Sequence, residues 1–242
     1  MPSPNVDPRA AGKAVRILLL HYTDMVSAGE ACAWLCNPLS KVSCHYLVDV
    51  DGRITQMVDE DMRAWHAGQS MWKGERDINS TSIGIEIQNL GHDHGYPDFP
   101  QAQMAAVAAL GRDIVARHAI PAEHVLAHSD VAPRRKRDPG EKFDWRWLHE
   151  QGLGHWVAPR PIGGGQFLQE GGMGDAVEAL QAMLALYGYG IEITGDFDRE
   201  TSTVVTAFQR HFRPARIDGI ADLSTIETLR RLIDSLPAAG LS

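Results

Sequence analysis

The feature that most constrains the fold is an unbroken apolar run, Ile17–Leu20, which ends at His21. A strand that is apolar on both faces belongs in a sheet that is covered on both sides. Such a sheet needs other elements packed above and below it, and it opens a crevice where its strands end. His21 occupies such an end, where it is either a satisfied core histidine or part of a site.

Three later segments complete this domain. The stretch CHYLVDVDGRITQMV contains two alternating runs around Asp51-Gly52, which predicts a β-hairpin. The stretch SIGIEIQNL places its isoleucines on one face and Glu86 on the other. Apolar residues at helical spacing follow in QMAAVAALGRDIVARH. We therefore predict an α/β domain over residues 1–158, with a mixed central β-sheet flanked by helices.

The C-terminal part of the chain differs in kind. Residues 159–173 are dense in glycine and proline, which is typical of a linker. Residues 174–242 contain three short amphipathic segments, whose apolar stripes predict a small three-helix bundle. The predicted organisation is an α/β domain, a linker and a helical domain.

Composition and charge exclude several classes of function. The formal net charge of -8 disfavours nucleic acid as a partner, because phosphate binding needs a basic surface. The run Arg134–Arg137 is a local exception, and it is equally well explained as a solvated loop. No stretch reaches the roughly 18 apolar residues of a transmembrane helix, and no signal-peptide core is visible at the N-terminus. The cysteines at 32, 36 and 44 form no disulfide framework.

Three possible metal ligands, His21, His128 and Asp138, lie at strand ends or in loops. A catalytic zinc takes three protein ligands and keeps a fourth position open, and this set meets that count. No short signature such as H-E-x-x-H accompanies them, and each histidine alone is as well explained as a core residue. The spacing therefore indicates a metal site, with core histidines as the alternative.

Two further side chains fit the chemistry of hydrolysis. Glu86 lies on an isoleucine-rich strand, where a carboxylate is costly unless it is paired or used. It is therefore either half of a structural ion pair or a general base for water. Lys136 precedes Asp138 by two residues, so in an extended loop both side chains point the same way. Its ammonium would then reach an oxyanion, although a solvated lysine is the simpler explanation.

The segments LLLHYT, SCHYLVDVDG, AWHAG, TSIGIEIQN and AHSDVAPRRKRDPG occur in this order over residues 18–140. Together they resemble the zinc-dependent N-acetylmuramoyl-L-alanine amidases of the type-2 amidase family. Residues 174–235 resemble the small helical peptidoglycan-binding domains, through AVEALQAMLALYGY and GDFDRETSTVVTAFQRHF. The resemblance implies an amidase-type α/β fold followed by a polymer-binding module.

The resemblance also implies roles for individual residues. It implies that one Zn²⁺ per chain is held by His21, His128 and Asp138. By the same likeness, Glu86 is the catalytic carboxylate and Lys136 stabilises the tetrahedral intermediate. The residues expected near the substrate are His45, Trp65, His66 and, from the basic loop, Arg134.

The expected activity is hydrolysis of the amide between the lactyl group of N-acetylmuramic acid and the L-alanine of the peptidoglycan stem peptide. Two alternatives are a non-catalytic peptidoglycan receptor of the same fold and a zinc peptidase that cuts within the stem peptide. Peptidoglycan or muropeptides are the expected partners. A polymer-binding module favours the bacterial cell envelope or periplasm, whereas the missing signal peptide and the lack of a disulfide framework favour the cytoplasm. We expect the cell envelope.

Overall fold

The computed structural model describes residues 2–237, so the ends of the two predicted domains, at residue 1 and at 238–242, lie outside the described residues. Nine strands are assigned within that range. They are β1 (Val6–Pro8), β2 (Ile17–Tyr22), β3 (Tyr46–Val48), β4 (Ile54–Gln56), β5 (Met62–Ala64), β6 (Ser82–Ile87), β7 (Val125–Ala127), β8 (Phe167–Leu168) and β9 (Ala221–Asp222).

Helices account for much of the remaining described chain, together with two 3-10 turns at His92–His94 and Ala122–His124. The helices are α1 (Ala28–Leu35), α2 (Ile78–Thr81), α3 (Gln101–His118), α4 (His128–Val131), α5 (Trp145–Glu150), α6 (Asp175–Tyr187), α7 (Arg199–Phe212) and α8 (Leu223–Asp234). Among the described residues, no helix has both the length and the apolar character that a membrane span requires.

The central sheet has five strands in the order β4-β3-β6-β2-β7. Strands β3, β6, β2 and β7 run parallel, and β4 is antiparallel to β3 at one edge. The β3–β4 hairpin turns at Gly52, whose φ of 86° and whose approach to the carbonyl of Ala102 both require glycine. This arrangement confirms the predicted mixed sheet with flanking helices.

Alternate residues of β2 face two different layers. Leu18 and Leu20 are fully buried in a cluster with α3, as a helix-covered sheet requires. Ile17 and Leu19, on the opposite face, belong to a cluster that also contains the apolar residues of α6, α7 and α8. The region that contains α6, α7 and α8, called the helical region from here on, therefore shares a core with the sheet. Each such leucine contributes about 1.5–3 kcal/mol through burial, so this shared face stabilises both regions.

Trp72 is central to the contact between the two regions. It is 1% exposed, and its ring makes edge-to-face contacts with Tyr187 and Tyr189 at centroid distances of 6.0 and 5.0 Å. The backbone N–H of Lys73 donates to the carbonyl of Gly188 at 2.8 Å. A Cβ at Gly188 would lie 2.5 Å from the Trp72 ring, so glycine allows this close packing.

A buried carboxylate adds a polar connection to this apolar contact. Asp130, on α4, is inaccessible to solvent and accepts hydrogen bonds from the hydroxyl of Tyr189 and from Nδ1 of His211, each at 2.7 Å. The His211 ring stacks on Trp145 at 3.7 Å. Because α4 begins at His128, the helical region is hydrogen-bonded to the helix that carries a predicted metal ligand.

The segment 159–173, expected to be a linker, lies against the helical region. The N–H of Arg160 donates to Oγ1 of Thr228 at 3.1 Å, and Arg231 donates to the carbonyl of Ala158 at 2.7 Å. Further along, β8 pairs with β9 in an antiparallel ladder. The segment connects the two regions, but these bonds hold it in place, unlike a free flexible tether.

We expect Trp72→Ala to lower the free energy of unfolding of the whole chain by about 3–5 kcal/mol, because it leaves a cavity between the two regions. The exposed Leu39 (84% accessible) provides a control, since Leu39→Ala should cost less than about 0.5 kcal/mol. Guanidinium denaturation followed by far-UV circular dichroism measures both. Two separate transitions, of which the variant shifts only one, would contradict a shared core.

Candidate metal centre and catalytic cleft

The parallel pairing of β2 with β6 brings the first two predicted site residues together. His21 and Glu86 are register partners on these neighbouring strands, so their side chains lie side by side on the same face of the sheet. His128 follows directly after β7, which pairs with the other edge of β2. The site therefore forms where adjacent parallel strands end, as expected for an α/β sheet.

The three predicted metal ligands converge in the structure. Nδ1 of His21 lies 2.8 Å from Nδ1 of His128, and Oδ2 of Asp138 lies 2.9 Å from His128 Nδ1 and 3.2 Å from His21 Nδ1. All three side chains are buried, at 1–4% exposure. Tetrahedral ligands about 2.0–2.1 Å from a zinc ion would lie about 3.3 Å apart, so the observed triangle has nearly that size.

Hydrogen bonds on the far side of each ring determine which nitrogen carries the proton. Nε2 of His128 faces the carbonyl oxygen of Ala67 at 3.2 Å, so it must be the N–H. Nε2 of His21 lies 3.0 Å from Nδ1 of His66, and Nε2 of His66 lies 3.2 Å from the hydroxyl of Ser82. That hydroxyl donates to the carbonyl of Ile78 at 2.6 Å.

These bonds form a consistent relay in which His21 donates to His66, His66 to Ser82 and Ser82 to a backbone carbonyl. Both Nδ1 atoms that face Asp138 are then lone-pair donors. Burial, then the nearby His128 ring, lowers the pKa of His21 to about 4, which keeps the ring neutral. Two lone pairs and a carboxylate in van der Waals contact repel one another unless a cation lies between them. The donor set therefore fits a metal ion.

Gly84, for which the sequence predicted no role, makes the position of His66 possible. A Cβ at Gly84 would lie 2.5 Å from Nδ1 of His66, so the ring rests on the bare backbone of β6. Glycine in the interior of a strand is a known sign of such an approach, and it was available in SIGIEI. The backbone N–H of Gly84 also donates to Nδ1 of His45 at 3.0 Å.

Glu86 lines the cleft with a carboxyl group that has few partners. Its Oε2 atom is buried without a hydrogen bond in the described part of the chain. Burial and, secondarily, the negative charge of Asp138 raise its pKa well above the ordinary value. A cation at the triangle would lower that pKa again. Glu86 is therefore a carboxyl group whose proton affinity depends on what the neighbouring site holds.

The cleft in front of these residues has a volume of about 330 Å³, and its lining includes both basic and apolar residues. The basic ones are Arg135, Lys136 and Arg137. The apolar part of the lining includes Trp34 and Val42, which are 47% and 36% exposed. The ammonium of Lys136 has no hydrogen bond or ion pair within residues 2–237 and lies close enough to influence the pKa of Glu86.

The residues expected near the substrate fall in different places. Trp65 lines the cleft and donates from Nε1 to Asp7 at 2.7 Å, and His66 lines it too while contacting His21. His45 is fully buried between the backbone of β6 and Arg9, so the structure does not bring it to the cleft surface. Arg134 pairs with Glu200 of α7 and lines a neighbouring pocket.

Comparison with known families and proteins is consistent with this architecture. A family model described as N-acetylmuramoyl-L-alanine amidase matches residues 11–141. A second model, described as a peptidoglycan binding domain, matches residues 173–229.

Individual relatives cover most of the chain. The N-acetylmuramoyl-L-alanine amidase AmiD of Escherichia coli is 36% identical over 240 residues, covering 93% of this chain and 85% of that protein. The structure of AmiD in complex with anhydro-N-acetylmuramic acid-L-Ala-D-γ-Glu-L-Lys superposes with a TM-score of 0.78, covering 93% of this chain and 91% of that one. The AmpDH3 structure from Pseudomonas aeruginosa is 31% identical, with a TM-score of 0.78 and coverage of 98% and 99%.

A shorter relative matches the α/β region without the helical one. The 1,6-anhydro-N-acetylmuramyl-L-alanine amidase AmpD of Escherichia coli is 34% identical over 163 residues, covering 60% of this chain and 86% of that protein.

We expect Gly84→Ala to weaken binding of a divalent cation about 10- to 100-fold, because the new methyl displaces His66 and removes the acceptor that orients His21. Competition against a chromogenic chelator measures the affinity. Gly29→Ala is the matched control, since its Cβ would meet only Oγ of Ser27, at 3.7 Å. Equal affinities for both variants and the unaltered protein would contradict the role given to the relay.

Proposed function

The chain belongs to the N-acetylmuramoyl-L-alanine amidase family, and from that premise we propose how its cleft performs the reaction. The protein hydrolyses the amide bond between N-acetylmuramic acid and the L-alanine of the stem peptide. The observation that carries the mechanism is the convergence of His21, His128 and Asp138 beside the unpartnered carboxyl group of Glu86.

One Zn²⁺ per chain would be held by Nδ1 of His21, Nδ1 of His128 and Oδ2 of Asp138. When bound, the ion supplies Lewis acidity that acidifies water and polarises the scissile carbonyl. His66 and Ser82 contribute through the relay, because an imidazole whose far nitrogen is hydrogen-bonded has a fixed tautomer and ring orientation. His66 is thus a positioning residue for His21, in addition to lining the cleft.

Glu86 serves as the proton carrier. Its carboxylate accepts a proton from the attacking water as the water oxygen forms a bond to the lactyl carbonyl carbon. The same proton then passes to the nitrogen of L-alanine as the carbon–nitrogen bond breaks. Atoms balance with one water consumed: the second water proton also passes to the amine, which leaves one carboxylate on the lactyl group and one ammonium group on L-alanine.

Lys136 stabilises the charge that develops on the carbonyl oxygen. Its ammonium lines the cleft without a competing carboxylate partner in the described structure, so it is available for this oxygen. A charged donor that is already in place stabilises a developing negative charge more strongly in a partly desolvated cleft than in water. Trp65 and the exposed Trp34 supply apolar surface on which the non-polar face of a sugar can pack.

The C-terminal helical region is proposed to bind peptidoglycan. Its support is the match of residues 173–229 to a peptidoglycan binding domain and the likeness to AmiD over most of the chain. A cell-envelope location follows from the same proposal, because intact polymer lies outside the cytoplasmic membrane. Co-sedimentation of a catalytically inactive full chain with purified sacculi tests the binding.

Product analysis separates this reaction from its alternatives. Digestion of whole sacculi and of soluble anhydro-muropeptides should release a peptide that begins with L-alanine, and mass spectrometry identifies it. A zinc-selective chelator should abolish release, and added Zn²⁺ should restore it. A peptide that lacks L-alanine would indicate a stem-peptide peptidase, and binding without any release would indicate a receptor.

We expect Glu86→Gln to reduce kcat about 10²- to 10⁴-fold, because the amide cannot accept the water proton. Affinity for Zn²⁺ should stay within about threefold of the unaltered protein, since Glu86 is outside the ligand triangle. Steady-state kinetics and chelator competition measure the two quantities. Retained turnover would show that a group other than Glu86 carries the proton.

We expect Lys136→Met to reduce kcat about 10²-fold with a smaller change in KM, because the lost charge acts on the transition state. Lys142→Met is the control of equal charge change, since Lys142 donates to the carbonyl of Tyr96 at 2.7 Å and does not line the cleft. A change confined to KM would make Lys136 a substrate-binding residue.

A further inference from the structure

A second pocket lies where the basic loop meets the helical region. It has a volume of about 320 Å³ and is lined by Pro133–Arg137 of the loop and by Thr203, Thr206 and Arg210 of α7. We refer to it as the junction pocket. Five of these eight lining residues are cationic and none is acidic, although the whole chain carries a formal charge of -8. Such a local reversal of charge concentrates anions at one place.

The cations of the junction pocket are not equally available. Arg134 pairs with Glu200, and Arg137 pairs with Asp93, which offsets much of their charge. Arg135 donates to the carbonyl oxygens of Ala67 and Gln69.

Arg210 keeps unused donor capacity. It is 18% exposed, and its Nε atom lies 3.7 Å from Oε2 of Glu141, which makes a long ion pair. That Nε atom is buried, and no nitrogen of the guanidinium makes a hydrogen bond within residues 2–237. A guanidinium held in this way is costly to bury and gains from an anion that reaches it.

The junction pocket continues from the catalytic cleft. Arg135, Lys136 and Arg137 line both cavities, so the loop has the cleft on one side and α7 on the other. The apolar part of the cleft, with Trp34 and Val42, favours the sugar, and the basic loop favours acidic groups. When the amide of a muramyl peptide lies at Glu86, its stem peptide would therefore extend past Lys136 towards α7.

We propose that the junction pocket binds a carboxylate of the stem peptide beyond the bond that is cut, so that α7 contributes to substrate selection. The inference rests on the proposed function. A stem peptide such as L-Ala-D-γ-Glu-L-Lys carries a free α-carboxylate on its γ-linked glutamate and another at its C-terminus. An extended chain advances at most about 3.3–3.6 Å per residue, so both groups lie within a few residues of the amide.

The test compares two muropeptides, N-acetylmuramyl-L-Ala-D-γ-Glu-L-Lys and the same molecule with both carboxylates amidated. The measured quantity is the ratio of kcat/KM for the acidic substrate over the amidated one. Because both values are measured with the same enzyme preparation, the concentration of active enzyme cancels in the ratio. Partial unfolding of a variant therefore does not change it. We expect Arg210→Gln to lower the ratio about 10-fold, the usual size for a lost charged hydrogen bond.

Matched variants separate charge from packing. Arg210→Lys keeps the charge and should recover most of the ratio. Arg230→Gln removes the same charge from α8, where Arg230 pairs with Glu227 and Asp234, and should keep the ratio of the unaltered protein. Raising the salt concentration should reduce the ratio in the unaltered protein, because screening weakens the contact.

Two results would overturn the inference in distinguishable ways. If the unaltered protein cleaves both muropeptides and Arg210→Gln keeps its ratio, the junction pocket does not bind the stem peptide, and the proposed function stands. If the unaltered protein, loaded with Zn²⁺, cleaves neither muropeptide, the proposed function fails together with the inference.

Discussion

Three buried electron-pair donors that face one another are the constraint on which the rest of the structure depends. Nδ1 of His21 and Nδ1 of His128 lie 2.8 Å from each other and 3.2 and 2.9 Å from Oδ2 of Asp138, and all three side chains are at most 4% exposed. A cation at its centre would offset the repulsion among these three donors. Everything around it maintains the geometry, including the parallel register that sets His21 beside Glu86 and the relay that fixes the ring of His21.

Much of this site could be predicted from the sequence, because the ends of its strands can be recognised from the pattern of apolar residues. An apolar run that stops at a histidine places that histidine at the edge of a buried sheet, and strict alternation assigns Glu86 to one face. The relay from His21 through His66 was not predictable, because it depends on which ring nitrogens meet across a distance of 45 residues in the chain. The burial of His45 was not predictable for a similar reason. A position in a sequence motif indicates which residues lie nearby but not how deeply the side chain is buried.

The helical region shows a different limit. Its amphipathic stripes predict that α6, α7 and α8 bury one face, and they do. A stripe does not say what it packs against. Here the partner includes the second face of the central sheet, through Ile17 and Leu19, as well as the other helices. Similarly, glycine and proline predict a linker at residues 159–173 but not what holds it, which is the hydrogen bond from Arg160 to Thr228 and the pairing of β8 with β9.

The buried carboxylate of Asp130 has a consequence for work on a solid polymer. It joins the segment that holds His128 to side chains from two parts of the helical region, and a common core surrounds that junction. These buried contacts fix the position of the helical region relative to the catalytic cleft. The proposed peptidoglycan-binding surface and the catalytic cleft would therefore lie at a fixed separation, and that separation would set which bonds of a bound polymer the cleft can reach.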